Sequence, residues 1–410
     1  MRKSAVSVVR AGDDVESAVR EAIRLAGGLG GMVTPESRVL IKPNIGARQK
    51  SGTGKVTDAR VTRAVTRVFL EASPAEVVIG DGAAVGFDFP DLQDTRMALE
   101  ESGTMEVARE LGVKAVDLNR DEHREVEIPD PYVMRSVKIA RTALDCDVIV
   151  SIPVMKSHIR SAVTLSLKNM KGVMPGAEKR KTHQLGLELA IADLNSVVKP
   201  HFAVMDGLVG MEGLWEYPDD CVRLGLIGAS RDALALDCVF ARIMGLEGEE
   251  VMHLQYCARK GLGLAAPGEI EVKGVPVAEA RRPFRPAFEV VKSRYPGLTV
   301  RAEKACTGCT NEFISTLIYI RLAEQVPRLG GLTVIFGEPP DQLPEGKTVV
   351  IGACSRKLEG RAPFVPGCPP ALDEITRKVC EVCGIDVRAV LEKRDELHRS
   401  IQGKITQNMI

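Results

Sequence analysis

The sequence predicts an α/β protein with a mostly parallel sheet layered with helices, followed by a smaller C-terminal α/β domain. Short runs of β-branched residues alternate with longer segments of helical periodicity. Several strand-like runs are apolar almost throughout, as expected for strands covered by helices on both faces. The chain of 410 residues exceeds the usual size of one hydrophobic core. We therefore expect two domains.

The first predicted domain covers residues 1–285. Its predicted strands are AVSVVR, RVLIKPN, AEVVIGDG, DVIVSIPV, FAVMDG and RLGLIGAS. Between them, TDARVTRAVTRVFLEA and RDALALDCVFARIMG have apolar residues at helical spacing, and Thr57 and Ser230 are positioned to cap these helices. The Pro- and Arg-rich stretch VAEARRPFRPAF then interrupts the pattern and is predicted to be a linker.

The second predicted domain covers residues 297–392, and residues 393–410 are predicted to form a surface helix and tail. GLTVRAE, GLTVIFG and KTVVIGAC have the composition of strands. NEFISTLIYIRLAEQV and the segment from Pro369 to about Cys383 are predicted helices.

The charge balance excludes several classes of partner. The 55 Lys and Arg residues equal the 55 Asp and Glu residues, so no global charge attracts nucleic acid or a membrane surface. No segment approaches the roughly twenty apolar residues of a membrane span. The N-terminal MRKSAVSVVRAGDD has too short an apolar run for a signal peptide. We expect a cytoplasmic protein without a nucleic-acid or membrane partner.

Six of the ten cysteines fall between residues 306 and 383. In a reducing compartment such crowding indicates metal or redox chemistry rather than disulfides. The predicted elements place Cys306, Cys309, Cys354 and Cys368 at the edge of a parallel layer where the carboxyl ends of strands meet. Four thiolates without a histidine suit either tetrahedral zinc or a [4Fe–4S] cluster.

Two other interpretations of these cysteines stay open. Cys380 and Cys383 form a second CxxC at the end of a predicted helix capped by Gly384, and they offer an alternative zinc site with the first pair. The interval between the two pairs is longer than in a usual zinc ribbon. Alternatively, all six cysteines are structural or incidental.

The order CTGC, IGAC and PGCPP resembles the proximal-cluster motifs of nickel–iron hydrogenase small subunits, and the corresponding subunit of respiratory complex I is similar. In those families four cysteines hold one [4Fe–4S] cluster. The resemblance implies the same role for Cys306, Cys309, Cys354 and Cys368. It concerns the cluster and does not make this protein a hydrogenase.

The segment from Lys156 to His183 has the densest concentration of reactive side chains. Lys156 and His158 directly follow a predicted strand, Lys168 lies on a predicted helix with Thr164, and His183 lies in a predicted basic loop. These cations predict a pocket for a phosphate or carboxylate, with His158 or His183 as general acid or base. The alternative is a solvated basic face and loop.

Polar residues also follow other predicted strands. Asp81 and Asp206 each end a strand before a glycine, and Lys42 and Asn44 occupy the same kind of position. Because the carboxyl ends of parallel strands meet at one edge, these residues are further candidates for the site. An ordinary tight turn is the alternative for each Asp-Gly. Asp237 is unusual in lying among apolar residues of a predicted helix.

Many short motifs, in order, resemble those of domain of unknown function family 362. They include VLIKPNIG, VTDARVTRAV, VVIGDG, VSIPVMKSH, IADLN and GASRDALALDCVFARIMG. That family is prokaryotic, and its members often have an iron–sulfur module, usually ferredoxin-like. This chain lacks the ferredoxin CxxCxxCxxxCP run. The resemblance implies a domain and an iron–sulfur association, not a reaction.

Together these features predict an iron–sulfur oxidoreductase that acts on an anionic small molecule or transfers electrons to it or to an electron-transfer protein. Two alternatives belong to other classes. One is a non-redox transferase or lyase in which the cluster is structural or a Lewis acid. The other is a protein that delivers a cluster or metal.

Overall fold

The computed structural model describes most of the chain in two compact units. The described residues are 3–46, 48–83, 95–158, 161–213, 220–286, 289–290, 295–303, 305, 307–368 and 370–396. The first unit comprises Met1–Ser157, Val163–Gly248 and His253–Phe284. The second comprises His158–Ala162, Glu249–Met252 and Arg285–Ile410.

The strands up to residue 274 form a large sheet and a separate hairpin. They are β1 (Ser4–Arg10), β2 (Arg38–Pro43), β3 (Glu76–Asp81), β4 (Lys114–Asp117), β5 (His123–Glu127), β6 (Ser136–Ala140), β7 (Val148–Ile152), β8 (Val154–His158), β9 (Ala162–Thr164), β10 (Phe202–Met211), β11 (Cys221–Ser230) and β12 (Ile270–Gly274). The large sheet has the order β12-β1-β11-β10-β7-β2-β3-β4, and β8 also pairs with β10. Strands β10, β7, β2, β3 and β4 are parallel, and β11 is antiparallel to both of its neighbours.

Helices cover both faces of this sheet. They are α1 (Val15–Leu25), α2 (Ala59–Glu71), α3 (Thr95–Glu101), α4 (Thr104–Glu110), α5 (Arg141–Leu144), α6 (Ser166–Asn169), α7 (Gly176–Leu185), α8 (Leu187–Val197), α9 (Ala233–Ile243), α10 (Met252–Arg259) and α11 (Val277–Ala280). Val39 and Ile41 of β2 pack in the core shared with α1 and α2. Leu40 packs in the core shared with α8. This alternation explains the continuous apolar run and confirms the predicted layered fold.

Two helix caps differ from those expected. Asp58, not Thr57, caps α2, because its carboxylate accepts the amide hydrogen of Arg60 at 2.9 Å. The Thr57 hydroxyl instead donates to the carbonyl of Ile152 at 2.7 Å. Asp232, not Ser230, caps α9. Thr57 precedes the capping residue by one position and Ser230 by two. Their hydroxyl groups instead donate to carbonyls of neighbouring strands, at Ile152 and Ala5.

The second unit contains a small parallel sheet. Its strands, in spatial order, are β13 (Thr299–Arg301), β14 (Leu332–Ile335), β15 (Lys347–Ile351) and β16 (Phe364–Val365). All three pairings are parallel. The helices are α12 (Thr307–Leu322) and α13 (Leu372–Cys383), and residues 387–396 are also helical. Residues 397–410 of the predicted C-terminal tail lie outside the described residues.

The described helices were compared with the length and apolarity that a bilayer requires. None of them is both long and apolar enough to cross a membrane.

Candidate functional site

The carboxyl ends of β2 and β3 hold a buried ion pair. Lys42 is fully buried, and its Nζ lies 2.6 Å from Oδ1 of the buried Asp81. The other oxygen of Asp81 accepts the amide hydrogen of Ile45 at 2.6 Å. Burial lowers the pKa of Lys42, whereas the charge and hydrogen bond of Asp81 raise it. The sequence predicted both residues at this edge, and the structure brings them into contact.

Two buried amides complete the surroundings of this pair. Asn169 accepts hydrogen bonds from Lys42 Nζ at 3.1 Å and from Asn44 Nδ2 at 3.0 Å. Its own Nδ2 donates to Ser151 Oγ at 3.0 Å. Among the described residues, Asn44 Oδ1 has no hydrogen-bond partner. Because buried polar atoms are normally paired, this oxygen marks a place for a donor from a ligand or water.

Gly172 packs directly against the ion pair. A Cβ at this position would lie 1.8 Å from Asp81 Oδ1 and 2.5 Å from Lys42 Nζ, so only glycine fits. The sequence predicted Thr164 and Lys168 on one helix. Instead Thr164 ends β9, α6 is a single turn, and a 3-10 turn covers Met170–Val173. This break lets the backbone approach the buried charges.

Two further lysines lie in the same surroundings. Lys156 on β8 is buried and donates to the carbonyl of Lys55 at 2.7 Å. Burial lowers the pKa of Lys156 to about 7, although Asp81 raises it. Lys168 on α6 is half-buried and donates to Thr164 Oγ1 at 3.1 Å. Burial, and then the charge of Lys156, lower the pKa of Lys168 to about 7.

We call this set the lysine site. Its members are Lys42, Asn44, Asp81, Lys156, Lys168 and Asn169. Within this set, the charge of Asp81 raises the pKa of Lys156, and the charge of Lys156 lowers the pKa of Lys168.

Asp237 fixes the short helix that carries Lys168. Its carboxylate accepts the amide hydrogens of Ser166 at 2.8 Å and Leu167 at 2.9 Å. Asp237 is fully buried on α9, and burial raises its pKa to about 7. The buried acid that was unusual in the sequence therefore satisfies the backbone at the start of α6.

Asp206 does not end a strand as the sequence predicted. It lies in the middle of β10, where β10 changes its pairing from β7 to β8. Its carboxylate accepts the amide hydrogens of Asp58 at 2.7 Å and Leu208 at 3.1 Å. Burial raises the pKa of Asp206 to about 7. These contacts give Asp206 a role in orienting the start of α2.

The two candidate histidines are not part of the lysine site as described. His158 is the last residue of β8 and is assigned to the second unit. The side chain of His183 lies outside the described structure, and its backbone is in α7 rather than in the predicted loop. In α7, Lys179 is buried and donates to the carbonyls of Gly82 at 2.9 Å and Ala83 at 2.8 Å.

Sequence reasoning missed His253. This residue of α10 is fully buried, and neither ring nitrogen has a hydrogen-bond partner among the described residues. Burial, and then the charge of Lys168, lower the pKa of His253 to about 3. Its setting in the sequence, VMHLQYC, shows only a histidine in an apolar helix.

In the second unit, three described thiols form what we call the cysteine edge: Cys309, Cys354 and Cys368. Cys309 is buried in the first turn of α12, whereas Cys354 and Cys368 are exposed on turns after β15 and β16. A Cβ at Gly352 would lie 2.6 Å from Cys309 Sγ. The amide of Ala353 donates to the carbonyl of Gly367 at 2.8 Å. The Cys309 thiol therefore lies against Gly352, in the turn before Cys354. The hydrogen bond from Ala353 to Gly367 joins this turn to the one before Cys368.

The donor chemistry of this edge fits a thiolate-bound metal group. Cysteines without carboxylates are the usual ligands of zinc and of iron–sulfur clusters. The glycine at 352 leaves room beside Cys309 that a side chain would fill. Cys306, the fourth predicted ligand, lies outside the described residues. Among those that are described, no three His, Cys, Asp or Glu side chains come together as a metal site.

The second CxxC is part of the hydrophobic core. Cys380 and Cys383 are both buried on α13. Burial raises the pKa of Cys380 to about 12 and also raises that of Cys383. Both groups are therefore neutral thiols near pH 7 in this structure.

The fold and the lysine site define an α/β protein with a buried lysine–aspartate network at its strand ends. Residues 39–242 match the family model described as Domain of unknown function (DUF362). The matched range contains every member of the lysine site.

A curated relative is the thylakoid-associated protein of Synechocystis sp., which is 26% identical over 256 residues, or 61% of this chain and 76% of that protein. The expected cytoplasmic location of this chain stays a prediction.

Two solved structures were also compared with the chain. The lactate racemase apoprotein from Thermoanaerobacterium thermosaccharolyticum gives a TM-score of 0.37 at 10% identity, covering 93% of this chain and 90% of that chain. A structural-genomics protein from Thermotoga maritima gives a TM-score of 0.31 at 13% identity, covering 82% of this chain and 74% of that chain.

Proposed function

We propose that the first unit binds a small anionic molecule, a phosphate or a carboxylate, at the lysine site. The observation that carries this proposal is the placement of Lys156 and Lys168. They are close enough for the charge of one to lower the pKa of the other. Asp81, the acid that acts on Lys156, is already bonded to Lys42. An anion bound at the lysine site would be attracted by the ammonium groups of Lys156 and Lys168.

The anion would also change the protonation of the site. Both lysines have a pKa of about 7 in the free protein, so each is partly neutral at pH 7. An anion nearby favours the charged form and raises both pKa values. Binding near neutral pH should therefore take up protons. Groups that exchange protons near pH 7 also serve well as general acids or bases.

Calorimetry in two buffers of different ionisation enthalpy tests this proposal. Inorganic phosphate and malonate are the probes, and the full chain should bind at least one of them with a buffer-dependent heat that reports proton uptake. Lys168→Met should weaken binding about tenfold or more. Lys199→Met is the matched control, because Lys199 is exposed and donates only a long hydrogen bond of 3.4 Å to Leu262. Absence of binding by the unaltered chain, or equal losses in both variants, contradicts the proposal.

For the second unit we propose a [4Fe–4S] cluster bound by Cys306, Cys309, Cys354 and Cys368, with zinc as the alternative. The position of Cys309 Sγ supports it, since Sγ lies 2.6 Å from where a Cβ on Gly352 would be. So does the hydrogen bond that connects the turns before Cys354 and Cys368. Such a cluster would supply one-electron transfer or a Lewis acid. The protein would then act as an oxidoreductase on the bound anion or pass electrons to an electron-transfer protein.

Metal analysis of anaerobically purified protein tests the cluster. About four irons and four acid-labile sulfides per chain are expected. Cys368→Ser should remove them, while Cys380→Ser, which alters a buried thiol on α13, should not. Zinc in place of iron contradicts the cluster and supports the alternative site.

Electron paramagnetic resonance then separates the classes of function. A reversible one-electron signal supports the oxidoreductase. A cluster that is never reduced supports the transferase or lyase. A cluster that moves rapidly to an apo-acceptor supports a delivery protein.

A further inference from the structure

Strand β12 is an edge of the large sheet. In the described part of the chain its strand neighbour is β1, with which it pairs in parallel from Ile270 to Gly274. An edge strand exposes a row of backbone N–H and C=O groups that can pair with a strand of another chain. The apolar side chains of this strand, Ile270 and Val272, are only half-buried. Strand β12 therefore offers a place where a further strand can be added.

The backbone of Val272 is directed away from β1. The amide of Val275 donates to the carbonyl of Val8 on β1 at 2.8 Å. Because alternate residues of a strand direct their N–H and C=O groups to opposite edges, Lys273 and Glu271 share the direction of Val275. The N–H and C=O of Val272 therefore face the side of the strand opposite β1.

The charges of β12 suit pairing with the same strand of a second copy of this chain. In an antiparallel pair centred on Val272, the two Val272 residues exchange both of their backbone hydrogen bonds. Glu271 of each copy then lies directly opposite Lys273 of the other. Opposite charges in facing positions stabilise a strand pair, and like charges destabilise it. Centring the pair on Glu271 or Lys273 would place two like charges face to face, so the sequence of charges selects one register.

The other edge strand of the large sheet, β4, lacks this complementarity. The amide of Leu118 donates to the carbonyl of Asp81 on β3 at 3.0 Å, which fixes the alternation of inward and outward groups on β4. A symmetric antiparallel pair centred on Ala115 or Val116 would place Lys114 opposite an apolar residue, Val116 or Leu118. Between these two edges, the charge pattern therefore favours β12.

The net charge of this edge does not repel a second copy. A lysine on an edge strand discourages pairing with another chain. Here Lys273 Nζ lies 3.7 Å from Glu271 Oε2 of the same chain, and both side chains are partly exposed. The glutamate compensates the charge of the lysine, and both side chains can reach a facing strand.

We propose that β12 joins two copies of this chain in a symmetric dimer, through an antiparallel strand pair centred on Val272. The large sheets of the two copies then form one continuous sheet. Each copy contributes the same surface, as a two-fold interface requires. Main-chain hydrogen bonds provide the affinity, and the facing Glu271 and Lys273 side chains fix the register.

Sedimentation equilibrium of the full chain over a range of concentrations tests the dimer. The unaltered chain should reach twice the mass of one chain. Lys273→Glu sets two glutamates face to face, and Glu271→Lys sets two lysines face to face, so each variant should weaken the dimer at least about tenfold. Lys114→Glu is the matched control, because it reverses a charge on β4 and should leave the dimer intact.

Mixing the two weakened variants tests the register. In the mixed dimer each facing pair is again one lysine and one glutamate, so the mixture should form dimers that neither variant forms alone. Val272→Pro should also abolish the dimer, because it removes an N–H that faces away from β1. Circular dichroism checks that each variant folds.

A monomeric unaltered chain overturns the proposal and leaves the edge to a strand of a different protein. A dimer that withstands both charge reversals places the interface elsewhere and also overturns it. So does a mixture of the two folded variants that stays monomeric.

Discussion

Lys42 and Asp81 in the first unit are buried and lie 2.6 Å apart, whereas Cys354 and Cys368 in the second unit are exposed on separate turns. The difference follows from the cost of burial. An ionised group without a partner costs several kcal/mol to bury, so folding itself must complete the lysine site. A thiol is neutral and weakly polar, so the cysteine edge need not be closed until a metal binds. The lysine site should therefore depend on the fold, and the cysteine edge on the proposed metal.

The largest expected effect comes from breaking the buried ion pair. Asp81→Asn leaves the charge of Lys42 buried without compensation and should lower the free energy of unfolding by about 3–5 kcal/mol. Urea denaturation followed by circular dichroism measures it. The control is Glu21→Gln, which breaks the exposed ion pair with Arg24 and should leave the stability nearly unchanged, because solvent screens exposed charges. Equal effects of the two variants would contradict a structural role for the pair.

The next effect has the opposite sign. The pKa of Lys156 is lowered to about 7 in the folded state, against 10.5 for an ordinary lysine. The cost of burying its charge is therefore complete below pH 7 and vanishes as the pH rises to about 10.5. Lys156→Met should therefore raise the free energy of unfolding by roughly 1–3 kcal/mol at pH 7. Thermal unfolding at several pH values measures the gain, which should shrink steadily between pH 7 and pH 10.5. A gain independent of pH would mean that packing, not charge, is responsible.

A smaller loss is expected from filling the space over the ion pair. The Cβ of Gly172→Ala would meet Asp81 and Lys42, and the rearrangement should cost about 1–3 kcal/mol. Phosphate binding should weaken in parallel, since the charged groups must move. Gly12→Ala is the matched control because nothing lies within 4 Å of its Cβ position. Denaturation and calorimetry of the two variants should differ, and identical results would refute the close approach.

The smallest effect on stability is expected at the cysteine edge. Gly352→Ala combines a backbone φ of +94° with contact to Cys309 Sγ, whereas the control Gly360→Ala has a φ of +80° and open space. Both should lose about 1 kcal/mol or more from backbone strain. Only Gly352→Ala should also reduce the iron content of anaerobically purified protein. Equal iron content in both variants would contradict the prediction that Cys309 is a metal ligand.

The sequence predicted the strands and several site residues for a local reason. Strand β2 reads VLIKP because both of its faces are covered, and Lys42 and Asn44 follow it at the edge where parallel strands end. Local pattern failed for Asp206, which looks like a strand end before a glycine but lies within β10. It also failed for His253, since no local feature shows that this helical histidine would be buried without a hydrogen-bond partner in the described part of the chain.

The sequence by itself determined the layered α/β class, the order of its strands and helices along the chain, and the presence of lysines and acids at strand ends. These are properties of short segments, fixed by periodicity and by the polarity of single residues. Only the tertiary structure decided that Lys42 pairs with Asp81, that Gly172 lies against them, and that Lys156 and Lys168 share one charge environment. Burial and electrostatic coupling depend on distances between residues far apart in the chain, and folding alone sets those distances.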